Sequence, residues 1–233
     1  MNIALILSGG TGTRMGRDIP KQYIKVNNRP IISYCIKTLL QHKDIDAVQI
    51  VAQTQWHEFI MESLSEYDLS KKFRGFSSPG ANRQLSILNG LEDIRFYAEE
   101  DDYVMIHDAA RPRLTKEMIS ACFCEGKGHD GVLPVLPMKD TVYLSEDKGK
   151  ISKLLDRSKV FAGQAPEVFV LGKYISANKQ LLPDKILQIN GSTEPAVMAG
   201  MDMVMIPGDE GNYKITTEED LSRFCADVQK SEE

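Results

Sequence analysis

Short, wholly apolar runs alternate along most of the chain with stretches in which apolar residues recur every three or four positions. Ile3 to Leu7 is apolar throughout, too short for a helix, and runs straight into glycines, so it predicts a buried strand. Pro30 opens a helical pattern carrying Ile31, Ile32, Cys35, Ile36, Leu39 and Leu40. Val48–Ala52 then predicts a strand, Gln55–Tyr67 a helix, and the region near Phe73–Phe76 a short strand. A helix follows over Asn82–Tyr97, a strand over Tyr103–His107, a helix over Thr115–Cys124 and a strand over Gly131–Leu136. Strands that are apolar on both faces and separated by helices imply an α/β fold. Its core is a Rossmann-like, mainly parallel sheet with helices on both faces.

After Pro137 the rhythm changes. Thr141–Leu144 and Ile151–Leu155 read as two strands joined through the turn-forming Asp147-Lys148-Gly149, a protruding β-hairpin arm at about residues 138–160. Helices over Leu171–Leu181 and Thr193–Gly200, a strand over Met203–Ile206 and a helix over Thr217–Val228 complete the pattern. With no internal repeat and no low-complexity linker, residues 1–233 are expected to form one domain.

Composition narrows the function classes. Of 233 residues, 42% are hydrophobic and 26% charged, the balance of an ordinary globular chain rather than a disordered or fibrous one. No apolar run approaches the roughly 20 residues that span a bilayer, and the first residues lack a basic leader and a small-residue cleavage site, so neither a membrane span nor a signal peptide is expected. The net charge of −5, with both signs mixed, argues against a nucleic-acid surface while leaving room for a small anion held by local cations. Four scattered cysteines (Cys35, Cys122, Cys124, Cys225) supply neither a disulfide framework nor zinc spacing, which points to a reducing cytoplasm. Cys122 and Cys124 are expected to sit on one helix as small hydrophobes.

The chemistry gathers after the first strand. Leu7-Ser8-Gly9-Gly10-Thr11-Gly12-Thr13-Arg14-Met15-Gly16 lies where parallel sheets bind ligands, and glycines there let backbone N–H groups approach a polyphosphate. Met15 occupies the third glycine position of a dinucleotide fingerprint, and no Gly-x4-Gly-Lys-Ser/Thr occurs. Arg14 in the loop and Lys21 just after it, in Pro20-Lys21-Gln22, place a planar fork and a point charge within reach of a triphosphate.

This segment resembles the signature loop of the cytidylyltransferases that act on methylerythritol phosphate and ribitol phosphate. Three further segments match in order: Gly80-Ala81-Asn82-Arg83-Gln84-Leu85-Ser86, His107-Asp108-Ala109-Ala110-Arg111-Pro112, and Asn212-Tyr213-Lys214-Ile215-Thr216-Thr217 before Asp220-Leu221. The resemblance spans almost the whole chain. It implies a nucleotidyltransferase-type fold and transfer of CMP from CTP to a polyol phosphate with release of pyrophosphate. By the same resemblance Arg14 and Lys21 are the catalytic cations. Leu7, Ser8, Gly9, Gly10 and Gly12, with Gly80, Ala81, Asn82, Arg83 and Ser86, hold the nucleotide. Arg111, Thr141, Arg157 and Lys214 serve the acceptor.

Asp108 ends a buried strand, where an unpaired carboxylate is costly. It reads either as a Mg²⁺ ligand, the role the motif favours, or as an N-cap or a partner of Arg111. His107 reads as a core histidine, and Asp209 and Glu210 as a solvated acidic loop. In relatives the arm crosses to a neighbouring subunit, which implies a homodimer with shared sites. The sequence also departs from the family pattern. Ser8 replaces a usual Ala, Gly163-Gln164-Ala165-Pro166-Glu167 replaces Gln-Thr-Pro-Gln, and Ser192-Thr193-Glu194-Pro195-Ala196 replaces a more acidic segment. The last two changes flank the acceptor side, and Gly163 leans toward the ribitol phosphate branch. Competing readings are a sugar-1-phosphate nucleotidyltransferase using another nucleoside triphosphate, and a catalytically dead nucleotide-binding module.

Overall fold

The computed structural model describes residues 1–10, 19–65, 67 and 71–230. In chain order the elements are β1 (Asn2–Leu7), β2 (Lys25–Val26), β3 (Arg29–Pro30), α1 (Ile31–Gln41), β4 (Ala47–Val51), α2 (His57–Ser63), β5 (Phe73–Ser77) and α3 (Arg83–Ile94). They continue with β6 (Tyr103–Asp108), α4 (Lys116–Glu125), β7 (Gly131–Pro137), β8 (Val142–Leu144), β9 (Lys153–Leu155) and β10 (Phe161–Gly163). Last come β11 (Glu167–Val170), α5 (Leu171–Lys179), α6 (Glu194–Met198), β12 (Met203–Pro207) and α7 (Glu218–Lys230).

The central sheet runs β10-β7-β11-β6-β1-β4-β5, with β12 also paired to β7. The run β6-β1-β4-β5 is parallel throughout, and β12 is parallel to β7. β10 and β11 are antiparallel to their neighbours, so the sheet is mixed but mostly parallel. Alternate residues of β1 go to opposite faces. Ala4 and Ile6 pack with Ile32, Cys35, Ile36 and Leu39 of α1 and with Met118, Ile119 and Cys122 of α4. Ile3 and Leu5 pack with Ile87, Leu91 and Ile94 of α3 and with Leu171, Tyr174 and Ile175 of α5. Helices therefore cover both faces, as the apolar strands predict. Among the described residues no helix is long and apolar enough to cross a membrane.

Register fixes where the site forms. Leu7 lies level with Val51 on one side and Asp108 on the other, and Val51 lies level with Ser77. The loops after β1, β4, β5 and β6 thus leave the sheet at one edge, outside the carboxyl ends of parallel strands.

The arm forms as expected: β8 and β9 pair antiparallel in a separate two-stranded sheet. Tyr143, Leu144, Ile151 and Leu154 on it are exposed. Three expectations need correction. The helix over Gln55–Tyr67 is a 3-10 turn at Thr54–Trp56 followed by the shorter α2. α3 ends at Ile94 rather than Tyr97, and Phe96 just beyond it is almost wholly exposed. Cys122 and Cys124 share α4, but only Cys122 is buried, where burial pushes its thiol up to about 12. Strands β10 and β11 were not anticipated. Together they line one edge of β7, and the irregular Gln164-Ala165-Pro166 between them breaks the alternation that would reveal a strand.

Candidate active site

The described part of the first loop is held from below. Gln22, buried in the 3-10 turn Lys21–Tyr23, donates through Nε2 to the carbonyls of both Ser8 (2.9 Å) and Gly10 (2.8 Å). Ser8 Oγ donates to Tyr23 Oη at 2.9 Å, and Tyr23 Oη donates to the Ser8 carbonyl at 3.1 Å. The hydroxyl that replaces the family's usual alanine is thereby absorbed into a small closed ring. Tyr23 also stacks on Trp56, with ring centroids 4.2 Å apart. Gly12 and Arg14, assigned to nucleotide binding and catalysis, lie outside the described residues.

Across the cavity stands the loop leading into α3. A Cβ on Gly9 would come within 2.6 Å of Pro79 Cβ, and one on Gly80 within 2.4 Å of Leu85 Cβ and 2.9 Å of the Ser86 nitrogen, so both walls require glycine. Asn82 caps α3, its Oδ1 accepting from Leu85 N at 2.8 Å, and its Nδ2 reaches Ile186 O at 2.9 Å. Ser86 Oγ accepts from Gly80 N at 2.9 Å and donates to Asn82 O at 2.8 Å. Between the two walls is a cavity of about 700 Å³ whose lining includes Leu7, Gly9, Gly10, Lys21, Gly80, Ala81, Asn82, Arg83, Ser86, Asp108 and Lys214. The structure therefore brings together the described nucleotide, catalytic and metal candidates except Ser8, with Lys214 of the four acceptor candidates. Ser8 lies behind this lining, acting through its carbonyl and Tyr23.

Asp108 is the electrostatic centre. Its Oδ1 accepts from Arg83 Nη2 at 3.1 Å, its Oδ2 accepts from Lys214 Nζ at 2.9 Å, and Arg111 Nε stands 3.6 Å from Oδ2. Burial alone would raise this carboxyl, but Arg83, then Lys214 and Arg111, hold it far below the usual carboxylate range. The ion pair with Arg111, one of the two roles left open by the sequence, is present. Burial works against the Arg83 charge too, but Asp108, with Glu167 behind it, keeps that guanidinium above its ordinary value. Arg111 is lowered by burial and donates from Nη1 to Asn212 O at 2.7 Å. His107 is a core histidine: burial lowers it to about 4, and its Nε2 donates to Arg111 O at 3.0 Å. Among the described residues no group of three or more His, Cys, Asp or Glu is placed to hold a metal ion.

A second pocket of about 490 Å³ adjoins the first and shares Lys214 with it; Arg111, Lys139, Gly163, Gln164 and Glu210 also line it. Lys214 reaches this position because Ile215 N donates to Ala110 O at 2.9 Å, pinning the late segment beside the end of β6. Gln164 clips the preceding loop, its Nε2 donating to Asp209 O (2.8 Å) and its Oε1 accepting from Asp209 N (3.0 Å). Glu210 is exposed and ion-paired with Lys139, and Asp209 Oδ1 accepts from Gly211 N at 2.7 Å, so neither acidic side chain turns toward Asp108. Thr141 and Arg157 are exposed on and just beyond the arm and line neither pocket; Arg157 Nη1 donates to Lys139 O at 2.8 Å. Sequence reasoning passed over Gln22, Gln164 and Gln53, the last of which also lines the first cavity. The first two lie inside quoted motifs, whereas nothing in the sequence around Gln53 marks it.

Glycine walls at parallel strand ends, with lysine and arginine around one buried carboxylate and a second cationic pocket alongside, are the features of an α/β protein that binds a nucleotide, with room for a second anion beside it. The family described as 2-C-methyl-D-erythritol 4-phosphate cytidylyltransferase matches residues 2–229. A ribitol-5-phosphate cytidylyltransferase from Streptococcus agalactiae serotype III (strain NEM316) is 31% identical, the match covering 100% of this chain and 98% of that one. A 2-C-methyl-D-erythritol 4-phosphate cytidylyltransferase from Geobacter metallireducens is 32% identical over 94% of this chain and 93% of that one. The fold matches the crystal structure of 4-diphosphocytidyl-2C-methyl-D-erythritol synthase from Anaerococcus prevotii with a TM-score of 0.84 at 22% identity, covering 98% of this chain and 96% of that one. This chain belongs to the 2-C-methyl-D-erythritol 4-phosphate cytidylyltransferase family, and it is a cytidylyltransferase.

Proposed function

We propose that the protein transfers CMP from CTP to ribitol 5-phosphate, releasing pyrophosphate, with Mg²⁺ as cofactor. The observation that carries this reading is Lys214, shared by a glycine-walled cavity and a second cationic pocket, so that two anions can meet across it. An oxygen of the acceptor phosphate attacks the α-phosphorus, the bond to the β-phosphate oxygen breaks, and pyrophosphate leaves. Such a reaction depends on positioning and on neutralising developing charge. Lys21 lines the nucleotide cavity and, with Arg14, supplies that neutralisation. Arg111 and Lys214 hold the acceptor phosphate, two donors suited to a dianion.

Asp108 fits a Mg²⁺ carried chiefly by the nucleotide. Its Oδ1 is taken by two bonds from Arg83, from Nε at 3.4 Å and Nη2 at 3.1 Å, but Oδ2 accepts one bond, from Lys214, and keeps a further lone pair, so Oδ2 can act as a single oxygen ligand. Bound there, the ion would add positive charge against the triphosphate.

Ribitol 5-phosphate is favoured as acceptor by Gly163 before Gln164, which leans toward the ribitol phosphate branch, and by relatives named for that acceptor that match the whole of this chain. The second reading, 2-C-methyl-D-erythritol 4-phosphate, is favoured by the description of the family itself. Pyrophosphate release is to be measured with CTP, Mg²⁺ and each acceptor. Ribitol 5-phosphate should give the higher kcat/KM by about tenfold or more, in the range one pocket contact supplies. The reverse order would assign the other acceptor, and no release with either would overturn the reading.

The exposed apolar residues of the arm support a homodimer in which Thr141 and Arg157 complete the acceptor pocket of a second copy. Mixing inactive Arg157→Ala and Lys214→Ala proteins should then restore turnover, whereas mixtures that stay inactive would place each site within one chain. Use of CTP, together with four free cysteines, supports a cytoplasmic location.

A further inference from the structure

Two segments depart from the family pattern, Gly163–Glu167 and Ser192–Ala196, and beyond Gly163 and Gln164, which line the acceptor pocket, neither has a part in the reaction above. In the structure they meet. Glu167, the buried first residue of β11, accepts at Oε2 from Ser192 Oγ and at Oε1 from Thr193 Oγ1 (3.2 Å). The Ser192 carbonyl accepts from Tyr174 Oη at 2.7 Å, and Tyr174 Oη accepts from Gln84 Nε2 at 3.1 Å. Asn178 braces the middle, its Oδ1 accepting from Gln84 Nε2 and its Nδ2 donating to Tyr174 O at 2.8 Å. Gln84, Tyr174, Asn178, Ser192 and Glu167 are all buried. The donors run one way, from Gln84 through Tyr174 to the Ser192 carbonyl and from the Ser192 hydroxyl to Glu167, the link at Ser192 being the covalent one between its backbone and its side chain.

The two ends of this chain sit at the two halves of the site. Gln84 is the second residue of α3, between Arg83 and Ser86 of the nucleotide wall. Glu167 is level with Ile106 in β6, two residues before Asp108, so Glu167 and Asp108 project from the same sheet face. Arg83, Asp108, Arg111 and Tyr174 are the charged and titratable groups that act on it. Gln164, which lines the acceptor pocket, is three residues before it.

We propose that Glu167 is a positioning residue: through Ser192 and Tyr174 it locks the first turn of α3 to strand β11, fixing the separation between the nucleotide wall and the acceptor pocket. The inference rests on the transfer reaction proposed above, in which the acceptor oxygen must stand in line with the α-phosphorus. Displacement of about 1 Å in such a site costs on the order of 10²-fold in rate. A hydrogen-bonded chain sets direction as well as distance, which an apolar contact of the same area does not.

The test uses Glu167→Leu, Glu167→Gln, Ser192→Ala and Tyr174→Phe in the full chain. Turnover, CTP affinity by calorimetry and amide hydrogen exchange at residues 82–86 and 190–194 are measured. Glu167→Leu and Ser192→Ala should lower kcat by about 10- to 100-fold, leave CTP affinity within about threefold, and raise exchange in both segments. Glu167→Gln, whose amide can still serve both hydroxyls, should recover most of the turnover. The Glu167→Leu/Ser192→Ala pair should fall no further than either single change, because both cut one chain. Should Glu167→Leu fail to fold, Ser192→Ala with Tyr174→Phe makes the same non-additivity test. Wild-type kcat in the folded variants, losses that multiply, or unchanged exchange at 82–86 would each overturn the lock. A wild-type protein that turns over no acceptor, yet shows the coupled exchange, would sink the transfer reading and leave the lock standing.

Discussion

Lys214 Nζ donates to Asp108 Oδ2 at 2.9 Å across 106 residues of sequence, and that one bond stands where the glycine-walled cavity and the second cationic pocket adjoin. The carboxylate is thereby kept ionised and the ammonium kept at the boundary between the two pockets.

Asp108→Asn should leave Arg83, Arg111 and Lys214 converging on a neutral amide. Turnover should fall by about 10²-fold, the scale of losing one preorganised electrostatic group. Stability at neutral pH should drop by about 1–3 kcal/mol, the cost of unpairing buried charge. The folded carboxyl is held below its unfolded value, so the stability it contributes is present at neutral pH and is lost as pH falls below the ordinary aspartate range. Urea unfolding at pH 7 and at pH 3 checks this: the gap between wild type and variant should begin to narrow at the lower pH, because the loss runs from the ordinary aspartate value down to the much lower folded one.

Lys21→Ala and Arg14→Ala should each reduce kcat by roughly 10²-fold or more while CTP affinity changes much less. Steady-state kinetics paired with calorimetry separates the two effects. Weakened binding with unchanged kcat would reassign these cations to ground-state binding.

Gln22→Glu replaces an amide that donates to the Ser8 and Gly10 carbonyls by a group with no such donor. The glycine wall should loosen and the KM for CTP rise by about tenfold, one hydrogen bond of about 1–1.5 kcal/mol. Trp56, the single tryptophan, stacks on the neighbouring Tyr23, so its emission should shift in the same variant. An unaltered KM and an unaltered spectrum would show that the loop holds itself.

Burial, opposed in part by Arg83, raises Glu167 to about 7 from the ordinary glutamate value. A raised folded value means the native state holds its proton longer than the unfolded chain, so stability falls as pH climbs from about 4.5 to 7 and then levels off. Glu167→Gln should abolish that slope, giving a difference from wild type of about 1–3 kcal/mol between pH 5 and 7.5. Parallel curves for the two proteins over that window would show that the carboxyl titrates lower.

Much of this could be read before any coordinates. β1, α1, β4, α4 and α7 follow from apolar spacing because each buries a continuous face or stripe, and the arm follows from its turn residues. Asp108 was legible as chemistry because a carboxylate ending a buried strand is costly without a partner, Lys21 because it follows Arg14 and a glycine loop, and Lys214 through the motif that carries the resemblance. β10 and β11 were not, since Gln164 and Glu167 interrupt an edge whose polar atoms are satisfied only by loops far along the chain. Gln22 and Gln84 were missed for a related reason. A neutral amide carries no charge to betray it, and its worth lies in carbonyls and hydroxyls that only the folded backbone brings within reach.

The ammonium shared by the two pockets lies beyond the last sheet strand, whereas the glycine walls come from residues 7–10 and 79–86. Yet the second wall is itself tied to late segments, Asn82 to Ile186 and Gln84 to Tyr174. The early and late halves of the chain therefore finish the cradle together, and neither half makes it alone.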